Sequence, residues 1–166
     1  MPRITLLLPL LLLPTIGLVS SACLPRDAAD MVDGRGVITV DEVRALAEDY
    51  NRAWEARDAS AIVAFHGEGF EYYWYDQLVT GEFEAVVRDE WLADTREYHI
   101  EMERPSVELL GSDAAVISFT FRDRQLYGSG NVVRTEGALT YVLERRSGKM
   151  KIVRIHHSGP AAAVFD

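Results

Sequence analysis

The chain has 166 residues, of which 26 are acidic and 17 basic, and its formal net charge at pH 7 is −9. This length fits one domain that can bury a substantial hydrophobic core. The acidic balance argues against binding of nucleic acid or of an anionic membrane surface through the domain itself.

Residues 1–22 are predicted to be a signal peptide. A basic start at Arg3 precedes an apolar run from Ile4 to Val19, and small residues follow up to Ala22. This order is typical of export signals. The run is too short and too interrupted by proline to favour a membrane-spanning helix. We therefore expect an exported protein, located in the periplasm, in the cell envelope or outside the cell.

Cys23 is the only cysteine of the chain, so an intramolecular disulfide is excluded. Its position after small residues resembles the modified cysteine of bacterial lipoproteins, although Ser20 stands where that motif usually has leucine. Two outcomes stay open: a lipid on Cys23, which would be the protein's contact with a membrane, or plain cleavage after Ala22. Residues 23–38 are predicted to be a flexible tether.

A long amphipathic helix is predicted at the start of the folded domain. Thr39 and Glu42 have the spacing of a capping box, and apolar side chains then recur at helical spacing as far as Trp54. We expect this helix over Asp41–Arg57. A short second helix should follow, capped by Asp58.

The rest of the chain predicts one more helix and a set of strands. The helix is expected over Gly81–Thr95. Each strand is rich in aromatic residues or alternates between apolar and polar residues: Phe70–Tyr75, His99–Leu110, Ala114–Tyr127, Asn131–Arg145 and Lys149–His157. Pro105 predicts an edge or a bulge in its strand.

Helices followed by long strands joined by tight turns predict an α+β fold. We expect a cone-shaped α+β barrel, in which a strongly curved antiparallel sheet wraps around the long N-terminal helix. The open wide end of the cone is the expected ligand site. The domain should span residues 39–160, with residues 161–166 as a C-terminal tail.

The order of these elements resembles the nuclear transport factor 2-like (SnoaL-like) superfamily. Within it, the chain is most similar to the association domain of calcium/calmodulin-dependent protein kinase II, in its bacterial stand-alone form. The similarity covers about Val40–Ala161. The segments that carry it are Tyr50-Asn51, Gln77–Gly81, Arg134-Thr135, Arg145–Lys149 and Arg154–Ala161.

The resemblance has consequences for activity and for partners. The kinase part is missing, since the sequence has no glycine-rich ATP loop, no His-Arg-Asp set and no Asp-Phe-Gly. We therefore expect no kinase activity. The resemblance implies self-association, as a homodimer or as a larger ring.

The resemblance also implies a pocket in which an acid of the first helix faces basic groups of the strands. It places these groups on Asp49, His99, Arg122 and His156, and a one-residue shift of the alignment in the strand of Arg122 would put Phe121 in the place of Arg122. His157 and Tyr141 stand where the family has arginines, so this pocket carries fewer fixed positive charges. With aromatic neighbours included, the candidate ligand-pocket residues are Asp49, Tyr50, Trp54, Tyr73, His99, Arg122, His156 and His157.

Three interpretations of the polar cluster stay open: a structural network, a ligand site and a catalytic site. No metal is expected, because His156 and His157 are adjacent in a strand and point to opposite faces. No cofactor is expected either. Either Tyr72 and Trp74 or their neighbours Tyr73 and Tyr75 should line the pocket or an interface, and the sequence leaves the choice open.

Two functions fit these features. The first is a non-catalytic domain that self-associates and binds an unidentified small molecule. The second is a small lyase, isomerase or cyclase of the ketosteroid isomerase or SnoaL type, with Asp49 or His156 as general base and Tyr73 or Tyr141 as oxyanion donor. An acid and a tyrosine hydroxyl that converge inside the cone would favour catalysis.

Overall fold

The computed structural model describes residues 36–79, 82–159 and 163–165, the last three as backbone only. The predicted signal peptide, Cys23 and most of the predicted tether lie outside the described residues. No helix within the described ranges is long and apolar enough to cross a bilayer.

The two predicted N-terminal helices are confirmed. Helix α1 spans Val40–Ala56, and its capping box is complete: the Thr39 hydroxyl accepts from the Glu42 backbone N–H at 3.2 Å, and the Glu42 carboxylate accepts from the Thr39 N–H at 2.9 Å. The helix ends at Arg57 in the left-handed region, with φ of 56°. Helix α2 spans Ala59–Ala64 and begins at the cap residue Asp58.

The third predicted helix is shorter than Gly81–Thr95. Helix α3 covers Phe83–Val86 and continues into a π-helix over Val87–Trp91. The Leu92 N–H then donates to the Val87 carbonyl at 2.8 Å, which is the wider π spacing, and the helix ends. The sequence prediction failed here because the apolar spacing does not reveal a change of helical pitch.

Among the described residues, seven strands form one sheet. Their bounds are His66–Trp74 (β1), Gln77–Val79 (β2), Thr95–Leu109 (β3), Ala114–Tyr127 (β4), Val132–Arg146 (β5), Lys149–Ser158 (β6) and Ala163–Phe165 (β7). The order is β2-β1-β6-β5-β4-β3, with β7 paired to β5 beside this path. Strands β3 to β6 form the expected antiparallel meander, whereas β1 lies parallel to β6. Strand β7 lies within the predicted tail.

The sheet is curved and remains open, and α1 packs against it, so the predicted α+β cone is confirmed. One source of curvature is the β-bulge between Glu103 and Ser106 in β3, because an extra residue bends the strand and increases its twist. Arg104 in this bulge has a φ of 52°. Pro105 therefore marks a bulge, as expected.

The hydrophobic core occupies one end of the cone. Val43 and Ala47 of α1 are fully buried there. The facing sheet residues are also completely buried: Ala115, Ile117, Leu143 and Ile152. Toward the other end, the same strand faces carry larger aromatic and polar side chains. That difference leaves space beside the C-terminal half of α1.

Candidate functional site

A cavity of about 270 Å³ lies at this second end of the cone. Nine aromatic side chains contribute to its wall, among them all three tryptophans of the chain, Trp54, Trp74 and Trp91. The volume is just below the range of about 300–1,000 Å³ that is typical of pockets for drug-sized ligands. The cavity therefore has room for a small molecule.

Three elements supply the tryptophans. Trp54 belongs to α1, Trp74 to the end of β1 and Trp91 to the π-helix. The Trp91 ring centroid lies 6.0 Å from that of Trp54, 5.5 Å from that of Trp74 and 5.3 Å from that of Tyr72. Tyr72 and Trp74 are the pair of β1 that lines the cavity, which resolves the alternative that the sequence left open.

A carboxyl group and a tyrosine hydroxyl meet on one wall. The Tyr98 hydroxyl donates to Oδ2 of Asp123 at 3.1 Å, and the Thr135 backbone N–H donates to Oδ1 at 3.1 Å. Burial raises the pKa of Asp123 above its usual value, and these hydrogen bonds offset part of the shift. Burial also raises the pKa of Tyr98 well above that of a free tyrosine. Tyr98 therefore stays protonated and remains a donor.

His157 is the second polar group of the wall. Only 4% of this residue is exposed, and its Nδ1 lies 3.5 Å from the Tyr72 hydroxyl. Its Nε2 is buried and has no hydrogen-bond partner among the described residues. Burial, with the nearby His156, lowers the pKa of His157 to about 4. The imidazole is therefore neutral at pH 7, with one nitrogen as donor and the other as acceptor.

The remaining polar side chains of the wall hold neighbouring elements together. The Gln125 amide donates to the Trp91 carbonyl at 3.0 Å and also contacts the Thr95 hydroxyl, which fixes the π-helix against β4. The Tyr141 hydroxyl donates to Oδ1 of Asn51 at 3.3 Å, which fixes α1 against β5. We interpret these hydrogen bonds as structural, because each one fixes a helix against a strand of the sheet.

Four of the residues named from the sequence line the cavity: Tyr50, Trp54, Tyr141 and His157. Five others lie outside it. Asp49 is on the exposed side of α1, where it forms an ion pair with Arg52. Successive side chains of an α-helix point about 100° apart, so Asp49 points away from the sheet that its neighbour Tyr50 faces. Asp49 therefore does not face the strand histidines.

The other four residues lie on the opposite face of their strands, since successive side chains alternate. His99 is 61% exposed and contacts Glu55 at 2.6 Å. Arg122 is 63% exposed and contacts Glu103 at 2.8 Å. Exposed His156 contacts the Tyr75 carbonyl. The Tyr73 ring lies under Arg154 at 5.8 Å. These positions correct the expected pocket.

Sequence reasoning missed Asp123, Tyr98 and Trp91. Asp123 could have been found, because the alternation that buries Phe119 and Phe121 also turns residue 123 inward. A lone acid that continues an apolar face is a signal of a polar site. Trp91 gave no comparable signal, because its position depends on the π-helix. No group of three or more potential metal ligands occurs in the described part of the chain.

Solved structures with this fold come from several kinds of protein. A Novosphingobium aromaticivorans protein described as a scytalone dehydratase has a TM-score of 0.67 at 12% identity, over 75% of this chain and 85% of that one. A Xanthomonas campestris protein described as a calcium/calmodulin-dependent protein kinase II association domain has 0.65 at 19%, over 75% and 89%. These identities establish the fold alone.

The association domain of the Caenorhabditis elegans kinase also matches, with a TM-score of 0.57 at 16% identity, over 71% of this chain and 93% of that one. No curated protein matches the sequence. The family model of the calcium/calmodulin dependent protein kinase II association domain matches residues 39–161, about three quarters of the chain. The chain therefore belongs to the calcium/calmodulin-dependent protein kinase II association-domain family.

Proposed function

We propose that this protein is an exported, self-associating domain that binds a small cyclic molecule in its aromatic cavity. The observation that carries ligand binding is the cavity of about 270 Å³, whose wall combines nine aromatic side chains with a few polar groups, among them Asp123 and His157. Such a hollow, mostly apolar and with few polar groups, is typical of small-molecule sites.

Self-association is supported by the family and by the outer face of the sheet. Four uncharged side chains, paired across β4 and β5 and opposite to the core, form what we call the outer patch: Val116, Ser118, Thr140 and Val142. The hydroxyls of Ser118 and Thr140 lie 3.0 Å apart, so each satisfies the other. An uncharged patch whose polar groups are paired is suited to contact with a second copy.

Native mass spectrometry tests both parts of the proposal together. We expect protein produced from the full chain in its own host to show a multiple of the subunit mass plus a small retained molecule. Trp91→Ala should lose the small molecule and keep the assembly, because it opens the cavity wall. Val142→Arg should keep the molecule and lose the assembly, because it places a charge in the outer patch. An empty monomer at every concentration would contradict the proposal.

Proton transfer is a second candidate function, favoured by the convergence of Asp123 and Tyr98 inside the cavity. A carboxyl group with a raised pKa is suited to act as a general base near neutral pH. Asp123 would remove a proton from the carbon next to a ligand carbonyl; the C–H electron pair would form a C=C bond, and the π pair of the carbonyl would move to its oxygen.

Hydrogen–deuterium exchange at the α-carbon of 2-tetralone in D₂O tests this candidate. We expect Asp123→Asn to slow the catalysed exchange by about 10²–10⁴-fold, which is the usual contribution of a general base. The control Asp49→Asn removes an exposed acid of α1 and should exchange at the wild-type rate. Equal rates in the wild type and in Asp123→Asn would rule out this role. Nuclear magnetic resonance measures the exchange directly.

A further inference from the structure

We propose that the ligand of the cavity is a small organic cation, an amine or quaternary ammonium group attached to a cyclic body. This inference rests on the proposed ligand-binding function and names its ligand class. The ionisable side chains of the wall include two acids, Glu90 and Asp123, and the neutral His157. Within the described part of the chain, no lysine or arginine lines the cavity.

The basic residues next to Asp123 are directed away from it. Along β4, Phe121, Asp123 and Gln125 line the cavity, whereas Arg122 and Arg124 pair with acids of β3 on the other face. The Arg122–Glu103 distance is 2.8 Å and the Arg124–Glu97 distance is 3.2 Å. Strand alternation thus separates these positive charges from the negative wall.

The tryptophan rings supply the second feature of a cation site. Trp91 packs against Trp54, Trp74 and Tyr72 at inclinations of 26°, 41° and 60°, and all four rings line the cavity. The face of an aromatic ring is negative, and several rings around one point bind ammonium groups. A carboxylate ligand would meet the same faces unfavourably.

The free acceptor sites of Asp123 are matched by the donors of an ammonium group. An ionised carboxylate has about four acceptor sites, and Asp123 uses two of them for Tyr98 and Thr135. His157 also lines the cavity, and its Nδ1 contacts the Tyr72 hydroxyl. His157 is neutral at pH 7 and does not repel a cation. The net charge of −9 also attracts cations to the protein.

Three ligands with one body and different head groups test the inference: 3-phenylpropylamine, 3-phenylpropanol and 3-phenylpropanoate. Protein produced from the full chain is titrated with each ligand at pH 7. Because all three tryptophans line the cavity, their fluorescence reports occupancy, and calorimetry gives the affinity. We expect the amine to bind at least tenfold more tightly than the alcohol, and the carboxylate to bind most weakly.

Single substitutions test whether the acidic side chains of the cavity wall cause the preference for the amine. Asp123→Asn keeps the side-chain shape and should reduce the amine-to-alcohol affinity ratio at least fivefold. Glu90→Gln gives an independent test, should Asp123→Asn fail to fold, and should lower the ratio about twofold. The exposed Asp49→Asn should keep the wild-type ratio.

The possible outcomes distinguish the preference for a cation from the ligand-binding function itself. An alcohol or carboxylate that binds as tightly as the amine overturns the cation preference and leaves the ligand-binding function standing. An unchanged ratio in both Asp123→Asn and Glu90→Gln also overturns the preference. If none of the three ligands changes the fluorescence or the calorimetric signal, the cation preference is overturned, and an empty protein in native mass spectrometry is what would overturn the ligand-binding function.

Discussion

Replacing Tyr50 by alanine is expected to lower the free energy of unfolding by about 3–5 kcal/mol, the range measured for loss of a large buried aromatic side chain. Tyr50 is only 1% exposed and stands between the core and the cavity. Its ring makes edge-to-face contacts with Phe65 at 5.6 Å and with Tyr141 at 5.5 Å. The substitution removes these contacts and leaves a hole that the rigid sheet cannot close.

Tyr50→Phe removes the hydroxyl and keeps the ring, so it measures the contribution of the hydroxyl to stability separately. The Tyr50 hydroxyl lies 3.1 Å from Nε2 of His66, and burial lowers the pKa of His66 to about 3. The neutral imidazole and the Tyr50 hydroxyl therefore share a hydrogen bond, whose donor is set by the tautomer of His66. Its loss should cost about 1–3 kcal/mol. Urea denaturation measures the free energy of unfolding of both variants. Leu78→Ala is the control: Leu78 is exposed, so its replacement should lower this free energy by less than about 1 kcal/mol. Tyr50→Ala within 1 kcal/mol of the wild type would contradict the packing described.

Acidification from pH 7 to pH 4.5 is expected to destabilise the protein by on the order of 5 kcal/mol through its two buried histidines. In the folded state burial lowers the pKa of His66 to about 3 and that of His157 to about 4. An unfolded histidine takes up its proton near a pKa of about 6.5. Below that pH the unfolded state binds more protons, so stability falls as the pH falls toward these folded-state values.

Asp123 opposes part of this trend. Burial raises its pKa, so the folded state takes up that proton at a higher pH than the unfolded state does, and acidification favours folding at this one site. Two histidines outweigh one carboxyl group. The net expectation is therefore a loss of stability between about pH 6.5 and pH 4.

Histidine variants test whether His66 and His157 cause the loss of stability on acidification. Urea denaturation of the double variant with His66→Phe and His157→Phe, at pH 7 and at pH 4.5, should show less than half of the wild-type loss on acidification, even though the variant is less stable at pH 7. Ile155→Val is a matched control, since Ile155 lines the same cavity and has no ionisable group. It should keep the wild-type pH dependence. An identical loss in the double histidine variant would contradict the assignment to these residues.

The elements predicted best from the sequence are those whose signal is local. Helix α1 was found within one residue of each end, because Thr39 and Glu42 cap it and its apolar stripe is regular. Strands β4 and β5 followed from alternation and from the tight turns beside them. The short strands β2 and β7 carry three residues each, which is too few for a periodic signal. They form because a longer strand offers free hydrogen-bonding groups.

The site was predicted only in part. The sequence identified Tyr50, Trp54, Tyr141 and His157 as inward residues, and it placed His156 and His157 on opposite faces. The polar residues that the family resemblance placed in the pocket lie outside the cavity, and Asp49 shows why. Its position along α1 is one residue from Tyr50, and one helical residue is enough to turn a carboxylate from a buried wall to solvent.

The sequence by itself determined the fold class and the order of the main elements, because capping, periodicity and turn residues act over a few neighbours. The family followed from the resemblance of its motifs to those of a known family. Only the tertiary structure decided which polar atoms share the cavity. Asp123, Tyr98 and His157 come from three different strands, and sheet curvature sets their distances. Their altered pKa values depend on burial by residues distant in the sequence.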